Sequence, residues 1–214
     1  MTLAAAWRRA WGLPAFRVQA ISTAVLLPLT LTMLARFLNR VEVRPGVVLP
    51  DPVLAAFPAH DLTWLTFSII YGGLFVGIGI LSRHPRHLIL AMQTYVGMVV
   101  FRILAMSLVA LDPPEGSIPL QDPFVQIFGT GQLLTRDLFF SGHTSTLFLI
   151  GLSMPKKPIR YAYFAAAAVV AVCVLLQHDH YSIDVVAAPF FAYGAYRLVC
   201  MMHDRAFAEQ GEAL

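Results

Sequence analysis

Six stretches of this chain, each close to the ~20 apolar residues a helix needs to cross a bilayer, leave little room for another architecture. They run over about 18–38, 62–82, 88–111, 138–154, 159–177 and 181–202. The fourth is short and carries a polar run, SGHTST, from Ser141 to Thr146. Pro- and charge-bearing loops separate the six, the longest covering 112–137. No internal repeat, low-complexity tract or break in composition divides the 214 residues. The expectation is therefore an all-α integral membrane bundle of six helices, one domain spanning 1–214.

Composition closes off the alternatives. Apolar residues make up 58% of the chain and charged ones only 13%, about half the share of roughly 25% in soluble domains. A chain this short cannot hide so much apolar surface in one core. A soluble enzyme, a disordered chain and a nucleic-acid binder all fit poorly. The net charge of +3 comes from short basic clusters between apolar runs, the pattern of membrane topology. The first 13 residues hold Arg8 and Arg9 but no apolar core ending in a small-residue cleavage site, so they do not read as a signal peptide. Cys173 and Cys200 lie inside apolar runs and read as buried thiols.

Positive charge sets the orientation. With both termini cytoplasmic, the inner segments hold Arg8, Arg9, Arg17, Arg83, Arg86, Lys156, Lys157, Arg160 and Arg205, nine in all. The outer segments hold three, Arg40, Arg44 and Arg136. Nine against three puts both ends inside. The 112–137 loop and the turn at 178–180 then face the periplasm, lumen or exterior.

Ionisable groups inside spans are costly and mark function by default. On the outer side the chain places Arg102, the run RDLFFSGHTS (136–145) and the run HDHYSID (178–184). His180 and Asp184 are four apart, so on a helix they share a face. The carboxylate then either orients the imidazole as a nucleophile or ties two helix ends together. Ser141 and Gly142 precede His143 at a helix start, where free amides attract a phosphate. There the hydroxyls of Ser141 and Thr144 can donate to phosphoryl oxygens, and His143 can protonate a leaving alkoxide; the plainer alternative is a capping serine beside a satisfied histidine. Arg102 needs a partner, either Asp137 or a phosphate. Asp137 itself either orients His143 or caps its helix. The cluster His178, Asp179 and His180 raises a metal site, but residues two apart diverge on a helix and metal-binding spacings such as HExxH are absent. No metal and no cofactor are expected.

With these residues in view, the chain resembles the sphingomyelin synthase branch of the type 2 phosphatidic acid phosphatase superfamily. LLQHDHYSIDVVAA (175–188) is similar to that branch's HDHYT-x-DVV signature, and RDLFFSGHTSTL (136–147) to its GD-x3-SGHT segment. VVLPD (47–51) is similar to a PLPD element, and FRILAM (101–106) with the following LDPP is a weaker match. The resemblance implies a triad of His143, His180 and Asp184 without metal. It implies phosphoryl transfer through a phosphohistidine on His180, to water or to a second lipid's hydroxyl. The substrate it implies is a phospholipid or sphingolipid held in the bilayer. The wider superfamily's Lys-x6-Arg-Pro element is incomplete, with Phe37 where the Lys would stand before Arg44-Pro45, and Val174 replaces a later Arg. Arg102 and the helix-start amides are the candidates to clamp phosphate instead. The rival reading is a lipid transporter or lipid-binding membrane protein, against which stands the lack of repeated halves or broken mid-membrane helices.

Overall fold

The computed structural model describes residues 2–120 and 133–208, the last three by backbone alone. Among them are seven α-helices: α1 (Leu3–Trp11), α2 (Pro14–Glu42), α3 (Thr63–Leu81), α4 (Pro85–Leu108), α5 (Gly142–Ser153), α6 (Lys157–Leu176) and α7 (Ser182–Ala208). No strand forms among the described residues; one isolated bridge joins Val47 to Leu111. The all-α expectation holds to this extent.

Five helices, α2, α3, α4, α6 and α7, are long and apolar enough to cross a membrane. No more than 39% of the apolar length of any of them is buried, which suits lipid as solvent. The fourth expected span is different. Over 138–154 only Gly142–Ser153 is helical, 12 residues, or about 18 Å at 1.5 Å per residue. Leu138, Phe139 and Phe140 supply the hydropathy but lie in irregular chain, bent at both phenylalanines, before the helix. The other expected spans shift by a few residues; α2 begins at Pro14 and runs to Glu42, and α7 runs on to Ala208. The sequence reading did not foresee α1. Its apolar and basic residues balance, so no hydropathic run marks it, yet Trp7 donates to the Ser82 carbonyl at 2.9 Å and packs on Phe16. The 121–132 part of the loop expected on the outer side, and the ends of both termini, lie outside the described residues.

The core forms where α4, α5, α6 and α7 meet, around Met98, Phe140, Leu147, Val170 and Ala192. Small residues let helices approach closely. Gly73 and Gly77 of α3 face Leu147, Ile150 and Tyr163, and the Tyr163 hydroxyl donates to the Gly73 carbonyl at 2.6 Å. At one end of the bundle His203 Nε2 lies 2.6 Å from Gln93 Oε1, and the Gln93 amide donates to the Gln19 carbonyl, joining α7, α4 and α2. At the other end gather the segments 43–62, 109–120, 133–141 and 177–181. These build the site.

Candidate active site

The turn between α6 and α7 is shaped by two caps. His178 takes a left-handed backbone, φ 55°; the His178 amide donates to Leu175 and the Asp179 amide to Val174. That is a Schellman closure of α6, with a non-glycine residue in the place glycine usually takes. The His178 side chain turns toward Phe57 and a separate cavity beside 48–57, away from Asp179 and His180. Asp184, three residues after Tyr181, stands at the third position of α7, and its Oδ2 accepts the Tyr181 amide at 3.0 Å. This is the carboxylate half of a capping box. The same Oδ2 lies 3.4 Å from His180 Nδ1. His180 thus sits before the helix and not on its face, and the pair forms across the helix start. Both side chains are buried, His180 at 2% exposure and Asp184 at 0%. Burial pushes the His180 imidazole down, but the Asp184 hydrogen bond and the charges of Asp179 and Asp184 outweigh it and hold its pKa above the usual histidine value.

With Nδ1 turned to Asp184, Nε2 faces the pocket, 3.8 Å from Asp179 Oδ2. The other Asp179 oxygen accepts the Leu120 amide at 3.1 Å. His143 approaches from α5, its ring 6.4 Å from that of His180 between centroids and edge-on to Phe67. One ligand atom each from His143, Asp179 and His180 lies within 4.8 Å of the others. These three could hold a cation or, equally, pass protons around a phosphoryl group.

Arg102 closes the pocket from α4. It is 4% exposed, and one nitrogen donates to the Phe140 carbonyl at 2.5 Å while another meets Asp137. Among the described residues that engages two of the five N–H groups of its fork. The guanidinium lies directly against Gly142, where a Cβ would collide with it. The glycine thus matters for the close approach of that side-chain end and not for backbone conformation. Ser141 caps α5, accepting the Thr144 amide, and the two hydroxyls bond each other at 3.2 Å. Neither lines the pocket, whereas Gly142, His143 and Thr146 do.

The pocket encloses about 280 Å³. Its polar end holds Arg102, Asp137, Gly142, His143, Asp179 and His180; its apolar end is walled by Leu34, Leu38, Ile70, Tyr71, Leu74 and Met98. That wall lies where α2 and α3 both pack on α4 but barely touch each other. Three carboxylates escaped the sequence reading as supports. Asp51 accepts the Ser182 amide at 2.7 Å and the Ser182 hydroxyl at 3.1 Å, capping α7 from outside; its LPD context was the available signal. Asp179 was weighed only as a metal ligand, and Glu42 gave no signal.

Residues 136–201, which carry His143, His180 and Asp184, match the family profile described as PAP2 superfamily C-terminal. A Caenorhabditis elegans protein whose name gives it, provisionally, as phosphatidylcholine:ceramide cholinephosphotransferase 3 is 33% identical over 73 residues. That segment is 31% of this chain and 22% of the relative, so the chain spans about a fifth of that protein's length.

Proposed function

From this PAP2-like segment, 136–201, we propose that the chain is a six-span membrane enzyme that moves the phosphoryl or phospho-head group of a phospholipid or sphingolipid through a phosphohistidine on His180. The observation that carries the reading is the two-sided environment of one imidazole: Nδ1 on a fully buried carboxylate, Nε2 on the pocket beside His143. An Nδ1–H donated to Asp184 leaves the Nε2 lone pair for attack. In the first step the Nε2–P bond forms and the bond from phosphorus to the lipid oxygen breaks. The departing alkoxide takes a proton from His143. In the second step the acceptor's hydroxyl, from water or a lipid, attacks phosphorus, gives its proton back to His143 and frees His180. Arg102 and the amides at the start of α5 neutralise the phosphoryl oxygens, with Asp137 fixing the guanidinium. The hydroxyls of Ser141 and Thr144 shape that helix start. The apolar wall between α2 and α3 supports a lipid substrate entering from the bilayer, and the charge asymmetry supports a site on the outer face with both termini inside. No step calls on a metal.

The test is rapid-quench trapping with purified protein and a panel of diacyl and sphingoid phospholipids. Wild-type protein should yield acid-labile phosphohistidine, and His180→Ala none from any substrate. His143→Ala should slow loss of a lipid alkoxide by ~10²–10⁴-fold and barely affect a nitrophenolate, which leaves without a proton. Phosphate trapped on His180→Ala, or equal slowing of both leaving groups, would show the roles to be misassigned.

A further inference from the structure

Glu42 lies outside the pocket wall, yet its carboxylate accepts three hydrogen bonds. Its Oε2 accepts the amides of Thr135 and Arg136 at 3.0 and 3.1 Å, and its Oε1 accepts the Thr135 hydroxyl at 2.6 Å. The Arg136 side chain donates back to the Glu42 carbonyl and, through Nε, to Asp112 at 2.5 Å. Glu42 is also the last residue of α2, where the negative end of the helix dipole disfavours a carboxylate. A charge held there needs a partner to justify it, and here that partner is a stretch of chain without regular structure. That stretch, 133–141, leads straight to Asp137, which grips Arg102, and to Phe140, whose carbonyl takes the other guanidinium nitrogen. Leu133, Leu134, Thr135 and Asp137 also form one side of the pocket.

We infer that Glu42 is a positioning residue: it anchors 135–137 to α2 and so sets where Asp137 and the Arg102 fork stand when a phosphate enters. The effect reaches the substrate only through those two groups. This rests on the phosphoryl-transfer reading for its kinetic consequence, but the anchor itself can be tested without any substrate.

The experiment compares Glu42→Ala, Glu42→Gln and Thr135→Ala in the full chain. Glutamine can keep both backbone amides on its carbonyl oxygen and offer its NH₂ to the Thr135 hydroxyl. Glu42→Ala should raise KM for the lipid substrate about 5- to 10-fold, the scale of one net hydrogen bond, with a smaller change in kcat. Glu42→Gln should restore KM to within about 2-fold. Thr135→Ala, the mildest change, should raise KM about 2- to 3-fold and serves if Glu42→Ala does not fold. In an Asp137→Ala background, Glu42→Ala should add almost nothing, because the route is already cut. Trypsin should cleave after Arg136 faster in Glu42→Ala and Thr135→Ala than in wild type, whether or not turnover is seen. Unchanged cleavage in both overturns the anchor. Fully additive KM effects, or a lower melting temperature with KM unmoved, overturn the route through Asp137. Absence of turnover in wild type would strike at the phosphoryl-transfer reading and leave cleavage to decide the anchor.

Discussion

Replacing Asp184 by asparagine changes one atom's identity and one unit of charge at the centre of the site. Oδ2 receives both the Tyr181 amide and His180 Nδ1, while Oδ1 is buried with no partner among the described residues. An amide NH₂ turned toward Tyr181 would set donor against donor. The carbonyl must take that place, so the asparagine still accepts from Nδ1–H and the tautomer is retained. What is lost is charge. Exchanging a charged for a neutral acceptor costs about 1–1.5 kcal/mol. The ceiling is the full attraction between a carboxylate and an imidazolium 3.4 Å apart, about 5 kcal/mol at an effective dielectric constant of about 20. Turnover should therefore fall by between about 10-fold and a few thousandfold, with His180 still phosphorylated in a rapid quench.

The pH dependence gives the sharper check on the same variant. His180 must be neutral to attack, and its pKa is raised in the native protein, against burial, by the Asp184 hydrogen bond and by nearby carboxylates. Asp184→Asn removes the hydrogen bond to a charged group and leaves burial, so the acidic limb of kcat/KM should move to lower pH. Stability follows the same sign. A raised native pKa contributes stability that is fully present below the unfolded value near 6.5 and is lost as pH rises through the native value. The melting-temperature gap between wild type and variant should thus be wider at acid than at alkaline pH. An unmoved acidic limb, or a loss of turnover beyond 10⁵-fold in a folded variant, would refute this account of Asp184.

Two further outcomes follow from neighbouring contacts. Gly142→Ala puts a methyl where the Arg102 guanidinium lies; KM should rise about 10- to 100-fold, the range for a charged hydrogen-bonding partner, with the melting temperature nearly unchanged. Asp51→Ala should destabilise the fold by about 1 kcal/mol at neutral pH, as loss of a helix cap does, read by thermal melts. Burial raises the Asp51 carboxyl, but hydrogen bonds from Ser182, Val53 and Leu54 outweigh it and leave the pKa below the usual carboxylate value. That contribution is present above the unfolded value near 3.8 and is lost as pH falls through the native one, so the variant and wild type should converge in acid.

The long spans were legible because lipid as solvent asks only for length and hydropathy, and α3 and α6 show both. The start of α5 was legible too, but not its full shortness, because Phe139 and Phe140 are as apolar in bent chain as in a helix. α1 hid for the opposite reason, Arg8 and Arg9 cancelling its tryptophans in any average. His180 and Asp184 were legible as a pair because they are four residues apart, and His143 because it stands in the SGHT run at a helix start. The carboxylates that support them were not. Asp51 meets Ser182 across 131 residues and Glu42 meets Thr135 across 93, and no window along the chain contains both partners. The hydroxyls of Ser141 and Thr144 were visible, but a sequence cannot say that they would turn to each other.

The shortness of α5 carries a mechanical consequence. Its C-terminal end runs into the exposed Lys156 and Lys157, residues that anchor at a headgroup interface. About 18 Å of helix cannot cross an apolar layer about 30 Å thick, and the extended Met154 and Lys156 carry its last turn up to Tyr163 and Phe164, which meet Gly151. The start of α5 is thereby raised to the level of Asp184, whose carbonyl accepts the Ser141 amide at 3.1 Å. On the proposed reading a lipid's phosphate has to reach that level, and leaflet thickness above it adds a cost that grows with each ångström of mismatch, so turnover should be faster in thin, short-chain membranes than in thick, ordered ones.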